Sequence, residues 1–100
     1  MNTEIIAKAF KELGHTTRLN IYRAVIRAGH QGVAVGRLQE KLEIPGSTLS
    51  HHISSLMSAG LITQRREGRT LFCVADFEKL KSVVAFLQDE CCIEERVCSD

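Results

Sequence analysis

The stretch from Ile44 to Ile62 constrains the fold of this chain more than any other. Its apolar residues recur at the spacing of one helical face, most clearly at Leu49, Ile53 and Leu56. The opposite face carries only short polar side chains and one histidine, with no Asp, Glu, Lys or Arg. A solvated surface helix ordinarily carries Glu and Lys. Small uncharged groups instead suit a helix that approaches base edges in a DNA major groove, and a neutral surface helix is the alternative.

A second amphipathic segment precedes this helix. The pattern predicts a short helix over Val33–Leu42, followed by a turn in which Pro45 and Gly46 end one helix and open the next. Two helices joined by three or four residues form a helix-turn-helix. The side chains of its second helix that are expected to face DNA are Ser47, Thr48, Ser50, His51 and His52.

Two strand-like runs, Ile62–Arg66 and Arg69–Val74, follow the helix-turn-helix. Gly68 between them can supply the positive φ of a tight hairpin. Three arginines are expected at the hairpin tip, where they would contact phosphates or a minor groove: Arg65, Arg66 and Arg69. The pattern therefore predicts a mainly α fold with a small β-hairpin, a winged helix-turn-helix.

Three further helices are predicted around this unit. The first covers Thr3–Leu13 and ends at Gly14 in a left-handed cap. The second begins at Thr16-Thr17, either of which can cap it, runs to about Ala28 and is expected to bury Leu19, Tyr22, Val25 and Ile26. The last begins after an Asp76 cap and runs from Phe77 to about Glu90.

The first and last helices carry apolar stripes that a small domain has little room to bury. We therefore expect a homodimer formed through these two helices, and a monomer with both stripes folded inward is the alternative. The residues expected at the dimer interface are Ile6, Phe10, Leu80, Val84 and Leu87.

Charge and cysteine content narrow the class of protein. Residues 1–74 carry ten Lys and Arg against five Asp and Glu, whereas residues 75–100 carry three against seven, so only the first part suits DNA. No apolar run approaches 18 residues and the start is amphipathic, so we expect a cytoplasmic protein without a membrane partner. In that compartment the four cysteines are expected to be thiols or metal ligands rather than disulfides.

Three strings, in the order of the predicted elements, resemble the ArsR/SmtB family of winged-helix repressors. Leu13–Leu19 (LGHTTRL) is similar to the family's L-x-D-P-T-R-L, with His and Thr in place of Asp and Pro. Pro45–Ile53 (PGSTLSHHI) resembles the recognition-helix string S-Q-P-T-V-S-H-H-L, and Arg65–Arg69 resembles the wing string R-x-G-R. The resemblance implies a homodimer that represses an operator and releases it when an inducer ion binds.

Two ion sites familiar in that family cannot form here. The positions that match a Cys-x-Cys pair in the helix-turn-helix are Ala34 and Gly36. A site on the last helix needs Asp, His and Glu, and although Asp76 is present, no histidine occurs after His52. The remaining candidate is a cluster of three cysteines near the end of the chain: Cys91, Cys92 and Cys98.

This cluster suits a thiophilic ion. Five residues between Cys92 and Cys98 can loop the third sulfur back, provided that the last helix unwinds near Glu90, because neighbouring helical side chains point about 100° apart. No histidine or fourth cysteine accompanies these three in the tail, which disfavours a closed zinc site, and soft thiolates select soft ions. A pyramidal As(III) or Sb(III) inducer needs only three sulfurs, and CC-x5-C resembles an arsenic-responsive branch of the family. Residues 1–90 would then form the DNA-binding and dimerisation domain and residues 91–100 the sensing tail, with no permanent cofactor.

Other interpretations remain open. The tail cysteines could be incidental in a disordered segment, could form a redox switch, or could bind Zn²⁺, Cd²⁺ or Pb²⁺. Cys73 is expected to be a small buried hydrophobe. No arrangement of catalytic residues or phosphate-cradling glycine loop occurs, so we do not expect an enzyme. A winged helix that docks another protein is the second functional class.

Overall fold

The computed structural model describes residues 2–95 and confirms the winged helix-turn-helix. One turn of 3-10 helix, Gly29–Gln31, separates the second helix from the first strand. The elements in chain order are α1 (Thr3–Leu13), α2 (Thr16–Ala28), β1 (Val33–Ala34), α3 (Val35–Leu42), α4 (Gly46–Ser58), β2 (Ile62–Glu67), β3 (Thr70–Ala75) and α5 (Phe77–Gln88). None of the helices within residues 2–95 has the length and apolar character needed to cross a membrane.

The wing is a three-stranded antiparallel sheet, in the order β1-β3-β2, rather than a hairpin alone. Val33 pairs with Cys73, and Ala34 pairs with Phe72. The prediction that a helix begins at Val33 was therefore wrong by two residues. A strand of two residues is too short to show alternation, and its pairing with β3 is a contact distant in sequence that no local pattern reveals.

The hairpin turn and the helix ends agree only in part with the sequence patterns. Gly68 has the expected positive φ, 63°, between the two wing strands. The Asp76 side chain caps α5 as predicted by accepting a hydrogen bond from the Lys79 backbone N–H at 3.0 Å. Gly14 was predicted to be left-handed but has φ −78°, and the left-handed conformation occurs instead at Glu43, after α3. No threonine side chain caps α2.

The core joins the helices to the inner face of the sheet. Cys73 is fully buried as predicted, and burial raises the pKa of its thiol. Leu19 was predicted to be buried but is 42% exposed, because the inner face of α2 is centred on Ile21 and Val25 instead. The largest fully buried side chains are Ile21, Leu38, Leu49, Leu56, Leu61, Ile62, Val25 and Cys73. Each aliphatic side chain of this size contributes about 1.5–3 kcal/mol on burial.

Helices α1 and α5 lie against each other and leave apolar side chains exposed. Phe10 is 39% exposed, Val84 is 49% exposed and Leu87 is 66% exposed. Ile6 was predicted at a dimer interface, but it is 3% exposed and belongs to the core of its own chain, so that assignment was wrong. Leu80 is half-buried against the same core.

Candidate nucleic-acid interface and effector site

Helix α4 presents a polar face to solvent and an apolar face to the core. Four of the five residues predicted to face DNA are exposed there: Ser47, Thr48, Ser50 and His51. Pro45 precedes the helix, and no side chain caps its N-terminus. The backbone N–H groups of the first turn are therefore available to an anion, and a phosphate is well suited to them.

His52 does not share that exposed face. It is only 7% exposed, and its Nδ1 accepts a hydrogen bond from Nε of Arg18 at 3.3 Å. The prediction that His52 contacts DNA was wrong because its side chain points about 100° away from that of His51, towards α2. Burial, followed by the nearby charges of Arg18, His15 and His51, lowers the pKa of His52 below its usual 6.5.

Arg18 also binds a buried carboxylate on α1. Its Nη1 lies 2.6 Å from Oε1 of Glu12, which is 8% exposed. Lys8 approaches the other carboxylate oxygen at 3.6 Å. No local pattern in the sequence indicates that Glu12 is buried, and the only sequence signal for Arg18 is its position in the motif LGHTTRL. Through Glu12 and His52, the guanidinium of Arg18 joins α1 to α4.

The hydrogen bond between Arg18 and His52 predicts a dependence of stability on pH. Neutral Nδ1 accepts this bond, whereas a protonated ring would place a second cation beside Arg18. Because the pKa of His52 is lower in the folded than in the unfolded protein, the unfolded chain binds more protons between these two values. The contribution of neutral His52 to stability is complete above about pH 6.5 and is lost as the pH falls towards the pKa of His52 in the folded protein.

We therefore expect the Tm of the parent protein to fall between about pH 7 and pH 5.5 more than that of a His52→Gln variant. The glutamine side-chain oxygen can accept the same hydrogen bond but does not titrate. Differential scanning calorimetry over this range measures the difference. Equal pH dependence in the two proteins would contradict the role given to His52.

The three wing arginines occupy different environments. Arg65 stacks over the Phe72 ring, with its guanidinium carbon 5.0 Å from the ring centroid. Its Nε donates to the Glu67 carboxylate at 2.7 Å, and its Nη2 donates to the Gln31 carbonyl at 2.8 Å. Arg65, predicted at the hairpin tip and in contact with DNA, is instead held against the body of the protein.

Arg66 and Arg69 are exposed and make no ion pair with any of residues 2–95. Side chains alternate along a strand, so Arg66 shares the face of Leu71, which lies beside α4, and Arg65 shares the opposite face. Arg69 lies in the turn. These two cations are therefore placed to bind phosphates while α4 occupies a groove.

We expect Arg66→Ala and Arg69→Ala each to weaken binding to all duplexes alike and to reduce the salt slope by about one unit per lost phosphate contact. Arg65→Ala is the matched control, because its guanidinium is already bound within the protein. Fluorescence anisotropy, with a duplex selected by the parent protein from a random pool and with an unrelated duplex, measures both slopes. A slope that Arg66→Ala and Arg69→Ala leave unchanged would show that the wing does not hold phosphates.

The last helix ends at Gln88, two residues earlier than predicted, and turns continue the chain to residue 94. The predicted unwinding before the cysteines is confirmed, since the Cys91 N–H donates to the Gln88 carbonyl in an i to i−3 turn. The sulfur atoms of Cys91 and Cys92 are 3.6 Å apart and both residues are exposed. Two thiolates bound to one ion at about 2.3 Å with tetrahedral geometry are about 3.8 Å apart, so this pair nearly matches a shared ion.

Cys98, the third predicted ligand, lies outside the described residues. Within residues 2–95, no three side chains of His, Cys, Asp or Glu are grouped to hold a metal ion. The pair of sulfurs is therefore the part of the predicted three-thiol site that the structure describes.

Comparison with known proteins matches this chain to helix-turn-helix domains and to transcriptional regulators. A protein-family model described as a helix-turn-helix domain matches residues 13–65. The chain is 32% identical to the cadmium resistance transcriptional regulatory protein CadC homolog of Staphylococcus aureus, over 82% of this chain and 68% of that protein. An ArsR-like transcriptional regulator from Rhodococcus sp. RHA1 matches the fold with a TM-score of 0.75 at 21% identity, over 86% and 78% of the two chains. A homodimeric winged helix-turn-helix DNA-binding domain from Mycobacterium bovis, described as a possible ArsR-family regulator, matches with a TM-score of 0.66 at 24% identity, over 96% and 89%.

Proposed function

This chain belongs to the ArsR family of winged-helix transcriptional regulators, and we propose that it is a repressor that a thiophilic ion removes from DNA. The ion is As(III) or Sb(III), and its ligands are the thiolates of Cys91, Cys92 and Cys98. The observation that carries this proposal is the 3.6 Å separation of the Cys91 and Cys92 sulfurs immediately after α5.

The DNA contacts come from α4 and the wing. Helix α4 lies in the major groove, where Thr48 and His51 reach base edges and the uncapped first turn meets a phosphate. Arg66 and Arg69 bind the backbone beside it. The absence of acidic side chains on this helix keeps its surface compatible with the negative potential of DNA.

Two copies pair through α1 and α5. Phe10, Val84 and Leu87 are exposed on these helices in one chain, and Ile5 adds a further apolar side chain at 42% exposure. Pairing about a two-fold axis would cover these residues and present two copies of α4 to successive turns of one DNA face, about 34–36 Å apart. The Mycobacterium bovis domain of similar fold is itself homodimeric, which supports the formation of a dimer.

Soft thiolate ligands determine which ions fit. As(III) forms a pyramid with three sulfurs and needs no further ligand, which suits a segment without histidine. Binding of such an ion drives deprotonation of its thiol ligands, so the site does not require preformed thiolates in the free protein. Cd²⁺ bound by the same sulfurs is the second candidate, because a relative at 32% identity is named for cadmium resistance.

Ion binding reaches the DNA-binding surface through α5. The cysteines follow its last turn directly, so drawing three sulfurs around one ion shifts the end of the helix that carries Leu87. Within each protomer, the buried Glu12–Arg18–His52 contacts join α1 of the dimer pair to α4. A coupling free energy of about 1–3 kcal/mol would weaken operator binding by about 5- to 150-fold.

Cysteine-to-serine variants test the proposal. We expect Cys91→Ser, Cys92→Ser and Cys98→Ser to bind the selected duplex as the parent does, yet to require much more As(III) for release, because each loses one of three thiolates. Cys73→Ser is the control and should respond like the parent, since its thiol is buried in the core. Release is followed by fluorescence anisotropy in reducing buffer.

Two outcomes separate the alternatives. A redox switch predicts that oxidant alone releases the parent protein and that reductant restores binding. Full response to As(III) in a variant that lacks all three tail cysteines would rule out the proposed site.

A further inference from the structure

A cleft of about 760 Å³ lies between α2, α3 and the wing, on the face of the sheet turned away from α4. Alternation along the strands places Arg65 and Phe72 on this face and Gln64 and Leu71 on the face beside α4. No residue of α1, α4 or α5 lines the cleft, so pairing through α1 and α5 leaves it open. Its apolar lining consists of Ala24, Ala28, Val33, Ala34 and Phe72.

The rest of the lining is strongly basic, with four cationic side chains: Arg27, Arg37, Lys41 and Arg65. Glu67 is the one acidic residue among the described lining residues, and Arg65 already binds it. The side chains of Arg27, Arg37 and Lys41 make no hydrogen bond or ion pair within the part of the chain that the structure describes. Grouped like charges repel one another, so folding alone gives no reason for this arrangement.

The combination of charge and apolar surface distinguishes this cleft from the DNA-facing side. A DNA backbone requires cations but gains nothing from an apolar floor. Ligand pockets of about 300–1,000 Å³ are typically apolar, with a few polar or charged groups that fix orientation. An aromatic ring could lie against Phe72 while an attached anionic group meets the guanidinium groups around it.

We propose that this cleft binds a small organic anion, an aromatic or aliphatic body bearing a carboxylate, sulfonate or phosphate, as an effector independent of the cysteines. Arg65 belongs to wing strand β2, and its guanidinium donates both to Glu67 in the wing and to the Gln31 carbonyl in the body of the protein. A ligand bound to Arg65 would therefore act at the link between the wing and the body. An anion that binds Arg65 competes with Glu67 and so alters the position of the wing, which carries Arg66 and Arg69.

Titration with 2-naphthoate, followed by isothermal calorimetry, tests the proposal. We expect saturable binding of one naphthoate per protomer, and binding about tenfold or more weaker in an Arg37→Gln, Lys41→Gln double variant. A Lys11→Gln, Lys81→Gln double variant is the matched control, because it removes the same charge from α1 and α5, away from the cleft. Competition by inorganic phosphate shows whether the negative charge of a ligand is sufficient for binding in the cleft.

The outcomes are distinct from those that test the cysteines. We expect the variant that lacks the three tail cysteines to bind naphthoate as tightly as the parent does, whether or not As(III) still releases DNA from it. Absence of saturable binding by the parent, or an equal loss in the control variant, would overturn the proposal. The proposal would also be overturned if the Arg37→Gln, Lys41→Gln double variant kept its affinity for naphthoate and lost only its affinity for the duplex. The cleft would then bind DNA phosphates. Thermal unfolding of each variant confirms that it is folded.

Discussion

A Leu87→Asp variant is expected to dissociate into monomers and to lose binding to a two-fold operator at the same protein concentration. Leu87 is 66% exposed on α5, and its side chain lies in the proposed interface between α1 and α5. The two-fold symmetry would place two unpaired carboxylates in an apolar interface. Burying even one such charge without a partner costs several kcal/mol, so the dimer should dissociate. Sedimentation velocity and duplex binding, measured on the same samples, report both effects.

The control for this substitution is Leu19→Asp. Leu19 is also an exposed leucine, at 42%, but it lies on α2, outside the two pairing helices. It should remain dimeric, whereas Phe10→Asp on α1 should behave like Leu87→Asp. A Leu87→Asp protein that sediments as a monomer and still protects a full two-fold operator would be inconsistent with the proposed dimer.

The second large effect is expected from Arg18→Met, which should reduce the free energy of unfolding by about 3–5 kcal/mol. The substitution removes the closest cation from the buried Glu12 carboxylate and leaves only Lys8, at 3.6 Å. It also removes the donor to His52. A loss of this size is a large part of the roughly 5–15 kcal/mol that stabilises a typical domain. Urea denaturation followed by circular dichroism measures it.

Two variants show whether the loss comes from the ion pair. Arg23→Met, an exposed position on the same helix, should change stability by no more than about 0.5 kcal/mol. The double variant Glu12→Leu, Arg18→Met should recover much of the loss, because no buried charge is then left without its partner. A cost below about 1 kcal/mol for Arg18→Met would mean that these contacts do not hold α1, α2 and α4 together.

The parts of the fold that the sequence predicted are those with a local cause. Apolar periodicity located the helices, Gly68 located the hairpin turn, and Asp76 located the start of the last helix. The exposed face of α4 could also be predicted, because a helix with no charged residue is unusual at a protein surface. The recognition helix and the wing could therefore be predicted from the sequence alone.

The errors at His52 and Arg65 have a different cause, which is a partner distant in sequence. His52 is buried because Arg18, 34 residues earlier, supplies its hydrogen bond. Arg65 is withdrawn from the wing tip because the Gln31 carbonyl, also 34 residues earlier, accepts from it. The basic cleft likewise depends on α2, α3 and the sheet meeting, so no single stretch of sequence indicated it.

In the proposed mechanism, ion binding by the tail thiols releases DNA, and a single titration follows both events. Reduced parent protein bound to its selected duplex receives As(III) while anisotropy reports the bound fraction and a thiol reagent reports the remaining thiols. We predict that the three tail thiols of each protomer become unreactive as one ion binds, and that the duplex dissociates over the same range of added ion. A duplex that remains bound after those thiols have become unreactive would contradict the proposed release of DNA by ion binding.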